Sequence, residues 1–406
     1  MPSVSLMWLD RFTTFIFSIT LAFTFCGLFL LPNGKTILSN LLVISIATGL
    51  LNVIIGGERL VGLIDRRLLW VFLGYAIFIF FNRFVHGDQY GVARNIFYVA
   101  IFGFLIPRKK VILYISQYAV IIGGICLGAV SAWQHYNGMY RVEGFTNAIL
   151  FSQAALALIL LNFSLVNTFC KSILSRVLVF LSISALLYSI YVAQSRGVWL
   201  ALLALFVFLM LKKSYQKPIK YSFLGILAVT SIMLLFQFSA ILQQRFNAAV
   251  YDINSAQEGQ YATSWGLRFI AWESAWKGFV ENPVLGVGTN GFNILKEHQV
   301  ESGDVSRVIL DHPLSHTHNQ YMQNLVIRGA LGFGALLSML FLPFLWSMKK
   351  NGFISAGTLY PIAFAIFGLS DVPLEQQNVL YMFTIGLIYF WFSADFNSSN
   401  KYKDAL

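Results

Sequence analysis

Residues 173–213 read ILSRVLVFLSISALLYSIYVAQSRGVWLALLALFVFLMLKK, and this stretch decides the fold. It holds two apolar runs, 173–194 and 197–211. Each is long enough, or nearly so, to cross a hydrocarbon core about 30 Å thick at about 1.5 Å per residue. Between them stands only Gln194-Ser195-Arg196-Gly197, and the second run closes on Lys212 and Lys213. Two spans joined by almost no loop are a membrane pattern, because every backbone group in lipid must be paired within its own helix.

Working outward, further apolar runs lie near 12–32, 37–56, 68–84, 91–107, 111–133, 146–167, 219–240, 320–347, 353–371 and 377–394. The expected fold class is an all-α polytopic membrane protein of about twelve transmembrane helices. Composition agrees, with 57% hydrophobic and 11% charged residues, where a soluble domain carries about 25% charged residues. The first run, at about 20 residues, is too long for a signal h-region of about 7–15 and is expected to remain as the first helix. Cys26, Cys126 and Cys170 fall in or beside apolar runs without CxxC spacing, so neither a disulfide framework nor a zinc site is expected.

The net charge of +11 is distributed in phase with the spans. Alternate connections carry Arg59, Arg66 and Arg67; Arg108, Lys109 and Lys110; Lys171 and Arg176; Lys212, Lys213, Lys217 and Lys220; Lys349 and Lys350. The positive-inside rule makes those connections and both termini cytoplasmic, and membrane orientation explains the basic residues better than nucleic-acid binding. The sequence divides into spans 1–9 over 1–240, an outward loop over 241–318, and spans 10–12 with the tail over 319–406. Within the loop, Trp265, Phe269, Trp272, Trp276 and Phe279 recur at helical spacing until Pro283, Gly286 and Gly288, which predicts an amphipathic helix lying on the bilayer surface.

Ionisable residues in or beside a span are costly, about 2.5–3.5 kcal/mol at a helix centre on insertion scales, and persist with partners or a task. The outward set is Arg94, Arg141, Arg196, Arg268, His318, Arg328, Asp371 and Glu375. Arginines predominate, and their guanidinium forks suit an anionic, phosphate-bearing substrate. Taken singly, Arg196 is equally explained by snorkelling to the headgroups, and Arg268 by lipid contact. The segment from Asp311 to Asn319 holds His312, His316 and His318, yet lacks HExxH or a Cys/His set, so a metal is not expected. His318 is a candidate general base, with an interfacial hydrogen-bonded histidine as the alternative.

Taken in order, these residues resemble the O-antigen ligase and polymerase superfamily of bacterial envelope glycosyltransferases. The matching stretches are Gln-Ser-Arg-Gly at 194–197, Arg268 through Trp272 and Asn282-Pro283 to Gly286-Val287-Gly288, His318-Asn319-Gln320-Tyr321-Met322-Gln323, and Gly329-Ala330-Leu331-Gly332. Gly368-Leu369-Ser370-Asp371-Val372 resembles the ligase pattern, whereas Arg328 departs from it by standing where many members carry glutamate. The resemblance implies a GT-C-like fold with the large loop in the periplasm and a multi-pass location in the bacterial inner membrane. It also implies transfer of a polysaccharide from undecaprenyl pyrophosphate to a sugar hydroxyl of lipid A–core, with inversion and without metal, nucleotide or other cofactor. Arg196 and Arg268 would then stabilise the leaving pyrophosphate and His318 would take the acceptor proton. Arg141 and Arg94 would extend the phosphate clamp, Asp371 would orient His318 or an arginine, and Asn319 and Tyr321 would line the substrate site. The rivals are a polymerase or a protein-glycosylating relative and, in a different class, a transporter of the lipid-linked glycan, which would place its charges near the midplane.

Overall fold

The computed structural model describes residues 4–56, 65–170, 172–312 and 314–403, so Arg59 and Lys171 lie outside the described residues. Those residues form sixteen helices and no strand. In chain order they are α1 (Val4–Cys26), α2 (Gly34–Gly56), α3 (Arg67–His86), α4 (Tyr90–Leu105), α5 (Lys110–Tyr136), α6 (Ala148–Thr168), α7 (Ile173–Ala193) and α8 (Arg196–Gln216). There follow α9 (Pro218–Phe238), α10 (Ala240–Gln257), α11 (Ser264–Glu281), α12 (Gly288–Glu301), α13 (Val308–Asp311), α14 (Gln320–Asn351), α15 (Ala356–Phe367) and α16 (Gln377–Lys403).

Ten of these helices are long and apolar enough to cross a membrane, which makes this a polytopic helical membrane protein. The expected spans near 91–107 and 353–371 are the shorter apolar helices α4 and α15, of 16 and 12 residues. At about 1.5 Å per residue they reach roughly 24 Å and 18 Å, less than a full hydrocarbon core. Both are enclosed by protein: α4 packs on α3, α2 and α16, and α15 on α14, α6 and α8. A helix so enclosed need not match the lipid thickness.

One core runs through α1–α8 and α14–α16, and α16 is its most enclosed span. Lipid tails are as apolar as leucine, so close packing and interhelical hydrogen bonds hold such a bundle together. α5 shows how: a Cβ at Gly123 would sit 2.0 Å from the Phe25 carbonyl oxygen of α1, and one at Gly128 would sit 2.4 Å from Ala185 of α7. Beside them Ser131 donates to Ser189 across α5 and α7 at 2.9 Å. The basic residues gather at one end, where Lys109 pairs with Asp10, Lys350 with Asp395, and Arg67 lies over the Trp346 ring.

The opposite end is built around a broken helix. Within α14, Gly329 takes φ 63°, ψ −165°, a conformation essentially confined to glycine. The break exposes backbone groups of α14, and the turn between α11 and α12 fills it. Val287 N–H donates to the Val326 carbonyl at 2.8 Å, while Ala330 N–H donates to the Pro283 carbonyl at 2.8 Å. Asn82 of α3 caps the Ile327 carbonyl at 3.0 Å. Gly286 approaches so closely that a Cβ would lie 2.5 Å from the Val326 carbonyl oxygen. The Asn-Pro…Gly-Val-Gly and Gly-Ala-Leu-Gly stretches therefore interlock, which gives them a structural duty.

The expected amphipathic helix is α11, and its small face (Gly266, Ile270, Ala271, Ser274, Ala275, Gly278) is the buried one. Packing on α10, α12 and α14 makes α11 part of the protein body. Phe269 and Trp276 face outward, while the Trp272 indole turns in to donate to the Thr317 carbonyl at 2.8 Å.

Candidate active site

Several segments meet at the broken-helix end. The α7–α8 turn begins with Gln194 in the left-handed region, φ 54°, which ends α7 after Ala193 and allows Arg196 to open α8. Gly197 lets the turn lie close against the α15–α16 connection, where a Cβ would sit 2.2 Å from Ser370 Oγ and force that side chain to move. Gln194 ties the turn to its neighbours: its Nε2 donates to the Tyr140 carbonyl at 2.7 Å, and its Oε1 accepts from Arg245 Nε at 3.0 Å. Arg141 Nε donates to the Ala193 carbonyl at 3.0 Å. Arg196 rests on Asp252 Oδ2 of α10 at 3.3 Å through both terminal nitrogens.

Arg141, Arg196, Arg245 and Arg268 thus share one neighbourhood. Arg141 is held below the usual arginine range by burial, then by the charges of Arg245 and Arg196. Burial also lowers Arg268, opposed by the carboxylates of Asp371 and Asp252, with Arg196 adding to the lowering. Both remain cations at any ordinary pH. Arg268 makes no hydrogen bond among the described residues, and Arg141 and Arg245 spend only their Nε atoms. Open guanidinium forks in a partly buried site are an anion receptor. The N-terminus of α8 adds its own partial positive charge.

The segment before α14 supplies the histidines. His318 has φ 52°, a strained conformation for a non-glycine residue, and its neighbours impose it. Thr317 N–H donates to Gln323 Oε1 at 2.9 Å, Thr317 Oγ1 to the Asn319 carbonyl at 2.8 Å, and Gln320 N–H to the Gly368 carbonyl at 2.8 Å. The buried His318 Nδ1 has no hydrogen-bond partner and stands 3.7 Å from Asp371 Oδ1. Asp371 Oδ2 accepts from Gln153 Nε2 of α6 at 3.2 Å. Burial works to raise the Asp371 pKa, but the two histidines and the Val372 N–H outweigh it and hold the carboxyl below the usual range.

His316 behaves differently. Its Nδ1 accepts from the His318 backbone N–H at 3.3 Å. Burial, with help from His318 and Arg268, pushes its pKa down to about 4, against an ordinary value of about 6.5. The unfolded chain therefore takes up this proton first, so stability is retained above about pH 6.5 and falls as pH drops toward 4. Thermal melting of the purified protein at pH 7.5 and pH 5 should show a larger loss for wild type than for His316→Gln. Equal losses would contradict the buried neutral imidazole.

Ligand atoms of His316, His318 and Asp371 lie within 4.8 Å of one another, close enough for one metal ion. Against that use, His316 Nδ1 is already engaged and the Arg268 charge acts on both His316 and Asp371.

Other residues expected here are engaged elsewhere. Asn319 caps α14, accepting from Tyr321 and Met322 N–H at 3.0 and 3.1 Å. The Tyr321 hydroxyl donates to the Ala365 carbonyl at 2.7 Å, within an apolar pocket between α14 and α15. Both are accounted for without a substrate. Arg94 stands on α4 over the Tyr90 ring, which Arg83 also approaches, and near Tyr381 of α16. Arg328 is fully buried between Asp88 Oδ2 at 2.7 Å and Glu375 Oε1 at 2.5 Å, with the Tyr75 hydroxyl at 2.9 Å. Two carboxylates neutralise it, so it offers no free charge to a ligand. Arg245, Asp252 and Gln153 were not singled out from the sequence. Arg245 and Asp252 are seven residues apart, two turns along one helix face, a spacing overshadowed by the aromatic residues that follow.

A helical membrane protein with open guanidinium groups and a histidine–carboxylate pair gathered at one end is the class that fold and site define. Residues 177–337 match the family Wzy_C, O-Antigen ligase, and that segment contains Arg196, Arg245, Asp252, Arg268 and His318. The match supports membership in the O-antigen ligase superfamily, whose members are glycosyltransferase-like enzymes of O-antigen processing. A Haemophilus influenzae protein described as "Uncharacterized protein" is 24% identical over 357 residues, covering 84% of this chain and 87% of that protein.

Proposed function

We propose that this protein is an O-antigen ligase. It transfers a polysaccharide from undecaprenyl pyrophosphate to a sugar hydroxyl of lipid A–core, at the periplasmic face of the bacterial inner membrane with both termini cytoplasmic. The observation that carries this reading is the meeting of Arg141, Arg196 and Arg268 with the His318–Asp371 pair at one end of the bundle. The basic residues collected at the other end support the orientation.

The chemistry is one in-line displacement. The acceptor oxygen forms a bond to the anomeric carbon of the reducing-end sugar as the bond from that carbon to the pyrophosphate oxygen breaks. The electron pair leaves on the pyrophosphate, where Arg196 and Arg268 stabilise the developing charge. The acceptor proton goes to His318. Asp371, beside His318 Nδ1, orients the ring and stabilises the imidazolium that forms. His316 is the weaker candidate base, because its Nδ1 lone pair is committed to the His318 backbone.

The test is acceptor identity. The purified protein, given lipid-linked polysaccharide together with lipid A–core, should form polysaccharide on lipid A–core and release undecaprenyl pyrophosphate. The rate should be unchanged by EDTA. Extension of a second lipid-linked chain would make the protein a polymerase, and loss of activity on chelation would transfer the His316–His318–Asp371 group to a metal.

A further inference from the structure

A groove of about 600 Å³ runs between α7, α8 and α9, walled by Leu187, Ile190, Trp199, Leu203 and Ala228. Its walls are almost wholly apolar, and α9 packs only peripherally, on α8 and α10. The groove therefore lies at the rim of the bundle, where a lipid chain can enter sideways. Its upper wall is Leu242, in the first turn of α10. Arg245 follows three residues later, and positions three apart share a helix face. The apolar groove thus ends beneath a guanidinium.

Arg245 is fixed but not consumed. Its Nε is held by Gln194 Oε1 at 3.0 Å, and its guanidinium lies 5.9 Å from the centre of the Tyr140 ring. Tyr140 is itself held by its hydroxyl hydrogen bond to Gln244 at 2.8 Å. The two terminal nitrogens have no partner among the described residues, and no carboxylate pairs with Arg245. Arg141 senses its charge, so the group belongs to the same positive field as Arg196 and Arg268. A long apolar slot with an unspent cation at its mouth has the shape of a phosphate-bearing lipid.

We propose that Arg245 binds the phosphate nearest the lipid of the polyprenyl pyrophosphate donor, whose tail lies in the α7–α8–α9 groove. This rests on the ligase reading and deepens it: Arg245 takes the lipid-side phosphate, leaving Arg196 and Arg268 for the sugar-side phosphate. The two phosphates then meet the open forks of Arg245 and Arg268, with the Asp252-held Arg196 adding charge beside the second, a pair that a polyprenyl monophosphate cannot fill.

Binding of three probes to the purified full-length chain in nanodiscs tests this: a polyprenyl pyrophosphate without sugar, the matching polyprenyl monophosphate, and inorganic pyrophosphate. Wild type should bind the lipid pyrophosphate at least about tenfold more tightly than either other probe. Arg245→Ala should weaken that binding about 10- to 100-fold, as expected for a lost charge-assisted bidentate contact. Arg245→Lys, which keeps charge without the fork, should fall between. Leu203→Trp, which fills the groove, should weaken both lipid probes and leave inorganic pyrophosphate unchanged. Wild-type affinity in both Arg245→Ala and Leu203→Trp, with loss in Arg196→Ala, would overturn this assignment while leaving the ligase reading intact. No binding of any pyrophosphate by wild type would remove the ligase reading itself. Equal competition by a bulk anionic phospholipid would show the groove to be an ordinary lipid contact and would also overturn the assignment.

Discussion

On the ligase reading, His318→Ala should remove transfer while leaving the protein folded and in the membrane. A positioned general base contributes about 10²–10⁴-fold, and its alanine variant should lose activity in that range at every pH. The side chain is partly exposed and its buried Nδ1 makes no hydrogen bond, so its loss costs little stability, although alanine keeps the strain of the positive φ. Arg196→Ala should fall comparably, by about 10²–10³-fold, because it withdraws charge from the leaving group. His316→Ala should be milder, since that imidazole serves the His318 backbone. Initial rates with equal amounts of protein in nanodiscs decide this. Equal losses in His316→Ala and His318→Ala would undo the assignment of the base.

Arg328→Met is expected to destabilise the fold severely instead. Arg328 lies with 0% side-chain exposure against Asp88 and Glu375, at 0% and 4%. Arg328 overcomes the burial that would otherwise raise Asp88, and holds that carboxyl below its usual range. Removing the cation strands two buried carboxylates, at a cost of about 3–5 kcal/mol for such a broken pair, a large part of a typical margin of about 5–15 kcal/mol. The damage would spread, because Arg328 sits beside the Gly329 break and Glu375 lies four residues beyond Asp371. Size-exclusion profiles in detergent should show aggregation for Arg328→Met and recovery for Arg328→Met/Asp88→Asn/Glu375→Gln. A monodisperse single variant with wild-type melting would contradict the ion-pair account.

Arg328 also illustrates where sequence reading stops. An arginine in an apolar run reads as one more outward cation, because its two carboxylate partners come from residues 240 positions earlier and 47 positions later. The spans were legible because lipid imposes length and apolarity on each helix separately. The first run was misplaced toward its C-terminus, since α1 stops at Cys26 while the chain stays apolar through the turns to Leu31. The α14 break was not legible either, because the apolar run passes through Gly329 unchanged and the groups filling the gap come from Pro283 to Val287. Arg196, His318 and Asp371 stand out as ionisable residues at the ends of spans, and Arg268 as a cation among the aromatic residues of one helix. Arg245 and Asp252 do not, since in a polar loop charges are ordinary until a fold turns them inward.

The most direct test of the central claim is the lipopolysaccharide profile of cells lacking this protein, complemented with wild type or with His318→Ala. The account predicts loss of the long-chain ladder with lipid-linked polymer accumulating, restored by wild type alone. An unchanged ladder in the cells lacking the protein, or accumulation of single repeat units in place of polymer, would contradict it.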